Sequence, residues 1–382
     1  MTYKGDHGFK ICDEDRILLL STRNQDPQVK DKILKLFQGV DWENLTQKAS
    51  QHRLTQLLYW NLKGFPEEVP GTILNDLKKS FDVNVRRNLF LFGELLKILK
   101  LLESANINAV PYKGPVLAIR AYGNISLRHF DDLDIFVDRE NVLKVKEILI
   151  SKGYKPQFEL NGFMQRRFLR SQREYKFFNP ETNVHVEVHW QFQGVSFSLS
   201  GDPKFLEDFE RVKLNNKEVL SLKPENMLLV FCIHITGHHW ERLSWICDIS
   251  MLVKSHEMDW DYLKEKSGEL GIERVLKVNM ALAVDLFDLE LPDTVLEDLK
   301  SDEVQDLVFK VEKRIFSSDP ENIFQMAVLR LKIRENMLDR VKDLFKTLFA
   351  PTNKEWDESS PKLLLPPASY IVRFLNVLRK NY

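Results

Sequence analysis

The chain carries the stretch Phe130-Asp131-Asp132-Leu133-Asp134-Ile135-Phe136-Val137, whose alternation of acidic and apolar residues predicts a β-strand. Because successive side chains of a strand point to opposite faces, Asp132 and Asp134 share one face while Leu133 enters the core. The two carboxylates repel each other, and a divalent cation between them removes that repulsion. Magnesium favours oxygen ligands, often one or two carboxylates together with substrate phosphates. We therefore expect Asp132 and Asp134 to bind magnesium, with a solvated strand end and a loop cap as the alternative.

A second acidic strand is predicted at Val184-His185-Val186-Glu187-Val188-His189, directly after a hairpin signal at residues 179–183. Its three valines face one way and its polar residues the other. We expect Glu187 to be the third carboxylate of a two-metal site, where it would hold the metal that activates the acceptor or act as base toward the acceptor. An exposed strand face with ordinary polar residues is the alternative. His185 and His189 are expected to flank the site rather than to bind the metal.

Two further features predict contacts to a triphosphate. Lys113-Gly114 lies at a turn between a predicted strand and a helix, where glycine lets the backbone approach a phosphate and the helix N-terminus favours an anion. Arg128 precedes the acidic strand, and its planar guanidinium could either contact the phosphates or form a surface salt bridge. The GxxxxGK[ST] pattern of a P-loop is absent, so an ATPase of that class is not indicated.

Helices are predicted on both sides of this acidic centre. An N-terminal helical region is expected over residues 1–105, an α/β core over 106–215 and a C-terminal helical domain over 216–382. Further strands are predicted at residues 108–112, 154–158 and 174–178. Helices are predicted at residues 13–21, 30–37, 41–62, 73–105, 115–122, 141–152, 224–239, 242–255, 260–267, 272–287, 304–317, 321–349 and 368–380.

The composition predicts a folded protein of the reducing cytoplasm. The 55 basic and 56 acidic residues give a net charge of -1, so no overall field points to nucleic acid or a membrane. The three cysteines show no CxxC spacing, which argues against a disulfide framework or a zinc knuckle. No apolar run of about 18 residues occurs, and the first residues lack a signal-peptide pattern, so we expect neither a membrane span nor secretion.

A histidine pair marks the C-terminal region. His234 and His238 lie one helical turn apart and can share a helix face. Such spacing occurs in zinc sites, but the HEXXH pattern is absent, so a zinc protease is not indicated. Together with Trp240, Arg242 and Trp245, the histidines are expected to buttress the catalytic unit or to line an acceptor pocket, and the structural role is favoured.

Taken together, these motifs resemble the DNA polymerase β-like nucleotidyltransferase superfamily, and more closely its uncharacterised bacterial family related to abortive-infection and minimal nucleotidyltransferases. The matching residues are Asp41-Trp42, Lys113-Gly114, Tyr122-Gly123, Arg128, Asp132-Leu133-Asp134-Ile135, Gly153-Tyr154, Glu187-Val188-His189-Trp190, His234, His238-His239-Trp240, Arg242-Leu243, Trp245 and Asp248-Ile249. The resemblance implies an α+β fold, in which a mixed sheet with flanking helices lies between N-terminal and C-terminal helical regions. Pro115 departs from the Gly-Gly or Gly-Ser turn that is common in the superfamily, and the spacing from Gly114 to Asp132 is longer than usual.

The activity that the resemblance implies is transfer of a nucleotidyl group, usually AMP from ATP, with release of pyrophosphate. We therefore expect a magnesium-dependent nucleotidyltransferase that uses ATP or another nucleoside triphosphate. The expected metal ligands are Asp132, Asp134 and Glu187, and the expected phosphate contacts are Lys113, Gly114 and Arg128. The acceptor could be a small molecule, a protein or a tRNA. The alternatives are an inactive scaffold with this fold, a toxin–antitoxin or defence component that modifies a protein or tRNA, and a metal-dependent phosphohydrolase.

Overall fold

The centre of the chain folds into a five-stranded mixed sheet that holds the two acidic strands side by side. The computed structural model describes residues 11–23, 27–160, 162–191, 208–214, 217–316, 323–337 and 340–341. The strands of the sheet are β1 (Ala109–Pro111), β2 (Asp132–Val137), β3 (Lys155–Pro156), β4 (Glu174–Asn179) and β5 (Val184–His189). They lie in the order β1-β2-β5-β4-β3, with β2 and β5 parallel and the other pairs antiparallel. This architecture confirms the α+β class.

Helices cover the sheet from both ends of the sequence. The N-terminal helices are α1 (Asp13–Leu20), α2 (Pro27–Leu36), α3 (Trp42–Gln51), α4 (Thr55–Leu62) and α5 (Gly71–Ser104). The core contributes α6 (Gly114–Tyr122), α7 (Val142–Ser151) and α8 (Gly162–Ser171). The C-terminal helices are α9 (Pro224–Gly237), α10 (Leu243–Ser255), α11 (Trp260–Glu269), α12 (Glu273–Phe287), α13 (Asp293–Asp298), α14 (Asp302–Phe316) and α15 (Ile323–Lys332). Most of these agree with the predicted helices to within a few residues.

The single helix predicted over residues 41–62 is wrong, because the chain forms α3 and α4 with a break between them. Arg53 in this break has a φ of 55°, a left-handed conformation that a helix interior excludes. The break has a tertiary cause: the carbonyl of His52 accepts a hydrogen bond from the backbone N–H of Ser244 at 3.2 Å. The break thus provides the acceptor for a backbone N–H at the N-terminus of α10. No glycine or proline marks the position of the break in the sequence.

Other elements also depart from the prediction. Helices α8 and α13 and a two-stranded antiparallel sheet, β6 (Phe209–Leu214) with β7 (Lys217–Leu222), were not predicted. Helix α8 was missed because its arginine-rich segment has only two buried residues, Met164 and Phe168, which are too few for a recognisable apolar periodicity. The long helix predicted at 321–349 is interrupted after Lys332, where Arg274 Nη1 donates to the backbone carbonyl of that residue at 2.9 Å, and helix occurs again at residues 337 and 340–341. Residues 342–349 and the helix predicted at 368–380 lie outside the described residues.

One apolar core joins the predicted N-terminal, central and C-terminal regions. Buried side chains form a single cluster that runs from Ile17 in α1 to Ile333 beyond α15, and Val184, Val186 and Val188 enter it from β5. The division of the chain at residues 105 and 215 stays a prediction. Within the described part of the chain, no helix is both long and apolar enough to cross a bilayer.

Helix α5 positions the segment that leads into β2. Asn88 is fully buried, and its Nδ2 donates to the backbone carbonyls of Ile125 at 2.6 Å and Arg128 at 2.8 Å. A buried amide in a helix interior is retained only where it satisfies polar groups that would otherwise lack partners. Asn88 thus anchors the connection between α6 and β2, including Arg128, which lies four residues before Asp132.

Replacing this anchor is expected to destabilise the protein. Asn88→Leu preserves the approximate volume but leaves two carbonyls without their donor, so the free energy of unfolding should fall by about 1–3 kcal/mol. Urea unfolding followed by circular dichroism measures the change. Leu89→Ala on the same helix is the control, because Leu89 is 54% exposed and its truncation should change stability by less than about 0.5 kcal/mol. Equal losses in the two variants would contradict the anchoring role.

Candidate active site

One cleft between the sheet and helices α9 and α10 collects all six residues predicted to form the site. It has a volume of about 370 Å³. The sheet side carries Lys113, Gly114, Arg128, Asp132, Asp134 and Glu187, together with Tyr112, Glu174, Lys176 and His189. The helical side carries Val230, Phe231, His234, His238, Ser244, Trp245 and Asp248. Residues separated by more than a hundred positions in the sequence therefore face one another across the same space.

The parallel pairing of β2 with β5 places the central carboxylates next to each other. Asp134 lies directly opposite Glu187 in the register, and Asp132 lies opposite His185. Asp134 is only 4% exposed, whereas Asp132 and Glu187 are half-buried. Burial, together with the negative charges of Asp134 and Glu187, raises the pKa of Asp132 to about 7. The pairing thus concentrates negative charge at one point of the cleft.

Asp134 is neutralised by two cationic groups. Its Oδ1 accepts a hydrogen bond from Lys113 Nζ at 3.0 Å and lies 2.9 Å from His189 Nε2. Burial by itself would raise the pKa of Asp134, but the charge of Lys113 and the hydrogen bond with His189 hold it well below its usual range. Asp134 is therefore ionised, and its charge is shared between a lysine and an imidazole.

His189 lies among three carboxylates. Besides Asp134, its Nε2 lies 3.5 Å from Glu187 Oε2, and its Nδ1 lies 3.5 Å from Glu174 Oε2. Burial would lower the pKa of His189, but hydrogen bonds to Asp134 and Glu187 outweigh burial and raise the pKa to about 9. Lys176 adds a further positive charge through ion pairs with Glu187 and, at 3.1 Å, with Glu174.

The arrangement has the donor set of a metal centre. Single ligand atoms of Asp134, Glu187 and His189 all lie within 4.8 Å of one another. Carboxylate oxygens suit magnesium and manganese, whereas an imidazole nitrogen suits zinc, copper, iron and nickel. Asp132, on the same face of β2 as Asp134, lines the same cleft. These residues fit a divalent cation, which would relieve the repulsion among the carboxylates.

The role of His189 was not foreseen, because the sequence suggested that both strand histidines flank the site. The structure separates them: His185 is exposed and its ring lies 4.6 Å from that of Phe178, whereas His189 is 3% exposed and lies at the centre of the carboxylates. Strict alternation already put His189 on the same face as Glu187. Glu174 comes into the group only through the antiparallel register, in which it lies opposite His189.

The Lys113-Gly114 turn brings the lysine to the acidic strand. Gly114 begins α6 with a φ of 54°, which L side chains rarely adopt. A Cβ at this position would lie 3.2 Å from the backbone carbonyl oxygen of Asp132. Glycine is therefore required here for close approach to β2, in addition to any approach to a phosphate. Lys113, the preceding residue, is thereby held within reach of Asp134.

Arg128 is placed in a buried ion pair. Its Nε and Nη2 both donate to the carboxylate of Asp248 in α10, at 2.9 to 3.1 Å, and the hydroxyl of Tyr122 donates to the same carboxylate at 2.7 Å. The side chain of Asp248 is 1% exposed and that of Arg128 is 10% exposed. Arg128 lines the cleft, but its guanidinium fork is directed at a protein carboxylate. This pair connects the segment before β2 to the helical side of the cleft.

His234, His238 and Trp245 form an aromatic wall on the helical side. The ring centres of the two histidines lie 4.5 Å apart, and those of Trp245 and the histidines lie 5.4 and 5.3 Å apart. Burial, with a further contribution from the charge of Lys113, lowers the pKa of both histidines, so both imidazoles are neutral near pH 7. The structure thus places these residues at the cleft, whereas Trp240 is buried and donates from Nε1 to Asn279 Oδ1 at 2.9 Å.

Comparison with known proteins supports one family. A family model described as an uncharacterised nucleotidyltransferase matches residues 38–288. The matched span contains the sheet, both walls of the cleft and every residue predicted to form the site. No curated protein matches the chain significantly.

The requirement for glycine at position 114 predicts that alanine destabilises the protein at this position but not at a glycine inside a regular helix. Gly114→Ala forces alanine into the left-handed region and against the carbonyl of Asp132, so it should lower the free energy of unfolding by at least about 1–2 kcal/mol. Thermal and urea unfolding measure the loss. Gly93→Ala is the matched control, since a Cβ there meets no atom of the described residues within 4 Å and lies in helix α5. This control should be neutral or stabilising by about 0.5–1 kcal/mol, and a loss in both variants would refute the assignment.

The buried pair of Arg128 and Asp248 predicts a second effect on stability. Arg128→Ala leaves the Asp248 carboxylate buried without its cation, which should destabilise the protein by about 3–5 kcal/mol. Arg16→Ala removes an exposed pair with Asp13 and should cost less than about 1 kcal/mol. Urea unfolding of both variants gives the comparison, and a small effect of Arg128→Ala would show that Asp248 does not depend on this arginine.

Proposed function

Since the chain belongs to this uncharacterised nucleotidyltransferase family, we propose that it is a magnesium-dependent enzyme that transfers a nucleoside monophosphate, in the first instance AMP from ATP, to an acceptor. The observation that carries the proposal is the parallel pairing that sets Asp134 opposite Glu187, in the cleft that also contains Asp132 and Lys113. Lys113, Lys176 and His189 offset part of the negative charge of the four carboxylates on this sheet face, and a bound divalent cation would offset more of it. The fold therefore provides a place for a metal and for the phosphates that the metal binds.

The metal would be held by Asp132, Asp134 and Glu187. Asp134 and Glu187 belong to the group whose ligand atoms lie within 4.8 Å. Asp132 lines the same cleft and would add an oxygen from the same strand face. Bound magnesium supplies charge neutralisation for the reacting phosphoryl group and orients the triphosphate. His189, held by Glu174 from its other nitrogen, would orient Asp134 and Glu187 toward the cation.

Lys113 and Gly114 would contact the phosphates. Lys113 now neutralises Asp134 at 3.0 Å, and a cation bound to Asp134 would leave the lysine available for a phosphate oxygen. Gly114 presents the N-terminus of α6, where backbone N–H groups favour an anion. Arg128, which the sequence suggested as a phosphate contact, is engaged by Asp248, so we assign it chiefly to positioning the segment before β2.

The transfer step needs one proton acceptor on the protein. An acceptor hydroxyl or amine forms a bond to the α-phosphorus while the bond between that phosphorus and the bridging oxygen breaks, and pyrophosphate leaves with the electron pair. The proton lost by the acceptor passes to a carboxylate. Glu187 is half-buried at the cleft opposite Asp134, and it would serve either as this base or as the third metal ligand. Convergence of the carboxylates supports this reading over an inactive scaffold.

Binding of magnesium and ATP tests the proposal directly. Calorimetric titration of ATP in the presence of magnesium should show binding to the wild-type chain and loss of that binding without magnesium. In the double variant Asp132→Asn/Asp134→Asn, the affinity for ATP in the presence of magnesium should fall at least roughly tenfold, because changing even a residue that orients a metal ligand weakens metal binding by about that factor. Pyrophosphate release from ATP should also disappear in Asp134→Asn.

A control variant separates the site from the strand that carries it. Asp138→Asn makes the same chemical change at an exposed position one residue beyond β2 and outside the cleft, and it should bind ATP as the wild type does. Circular dichroism confirms that each variant is folded. Absence of magnesium-dependent ATP binding in the folded wild type would favour the inactive scaffold. Release of phosphate, rather than pyrophosphate, would favour the phosphohydrolase.

A further inference from the structure

The aromatic wall of His234, His238 and Trp245 is a surface that the metal site does not use. All three side chains are half-buried and line the cleft, so their remaining exposed area faces the space above the carboxylates. The guanidinium carbon of Arg242, which also lines the cleft, lies 5.1 Å from the ring centre of Trp245.

The wall also has a particular chemistry. Its two imidazoles are neutral, because burial and the nearby charge of Lys113 disfavour their protonated forms. Each neutral imidazole offers one N–H donor and one acceptor nitrogen, and the indole offers a large flat face. A flat, uncharged ring with polar edges matches these groups. A cationic ligand would instead meet the positive charges of Lys113 and Arg242.

We propose that His234, His238 and Trp245 form the subsite that binds the nucleobase of the triphosphate by ring stacking, in a cleft whose opposite side binds the phosphates. This inference rests on the proposed function. Lys113 contacts Asp134 on the sheet side at 3.0 Å and lines the same cleft as the three rings. A nucleotide whose phosphates lie at Lys113 therefore has its base within reach of α9 and α10.

The test compares a ligand that has a base with one that has none. ATP and inorganic tripolyphosphate are titrated calorimetrically, with magnesium, into the full-length wild type, Trp245→Ala and Trp245→Phe. Stacking of one base on one aromatic ring corresponds to about a 5- to 150-fold change in affinity. Trp245→Ala should weaken ATP binding by a factor in that range and leave tripolyphosphate binding unchanged. Trp245→Phe keeps a ring and should recover most of the ATP affinity.

Two further variants make the comparison independent of folding defects. Trp60→Ala removes a tryptophan that is 37% exposed in α4 and outside the cleft, and it should bind both ligands as the wild type does. His238→Ala changes a second ring of the wall and should also weaken ATP selectively, which decides the question if Trp245→Ala does not fold.

Each remaining outcome overturns the inference in a recognisable way. Unchanged ATP affinity in both Trp245→Ala and His238→Ala would exclude base stacking. The wall would then either line the acceptor pocket or have a structural role only. Equal weakening of ATP and tripolyphosphate would mean that the wall supports the phosphate site only. Failure of the wild type to bind either ligand would overturn the proposed function itself, and with it this subsite.

Discussion

The site depends on one constraint, which is the repulsion between carboxylates that the parallel pairing of β2 and β5 brings together. Asp134 and Glu187 lie opposite each other, and Asp132 and Glu174 lie on the same side of the cleft. Without compensation, so much negative charge in a partly buried place would force protonation or open the sheet. Lys113, Lys176 and His189 supply the compensation in the structure. The Gly114 turn places Lys113, strand β4 places Lys176, and the end of β5 places His189.

Three connections from outside the sheet hold this charge cluster in position. Asn88 in α5 binds the carbonyls of the segment that enters β2, and Arg128 at the end of that segment pairs with Asp248 in α10. His52, in the break between α3 and α4, accepts hydrogen bonds from the N-terminus of α10. A buried ion pair adds little net stability over a well-packed apolar contact, but it fixes the direction and spacing of the parts that it joins. The helical wall of the cleft is thus set at a defined distance from the carboxylates of the sheet.

Much of the chemistry could be predicted from local patterns. Alternation on two short strands identified Asp132, Asp134 and Glu187, and all three line one cleft. The glycine after Lys113 marked a turn that indeed needs a left-handed backbone. Helices with regular apolar spacing, such as α5 and α12, appeared close to their predicted bounds. Elements with weak or short patterns, such as α8 and the β6–β7 pair, escaped prediction because few of their residues are buried in a periodic order.

The sequence by itself determined which groups the acidic strands present, because the alternation of side chains along a strand is a local property of the backbone. The sequence also determined the bounds of α6, which begins at Gly114-Pro115 and ends before Gly123. Only the tertiary structure decided which cation meets which carboxylate. Asp134 lies 21 positions after Lys113 and 55 positions before His189, and the three residues meet only once the strands have paired. The same holds for the turn at Arg53 and for the pairing of Arg128 with Asp248, 120 positions away. Partners so distant in the chain are chosen by the packing of whole elements, which no local pattern records.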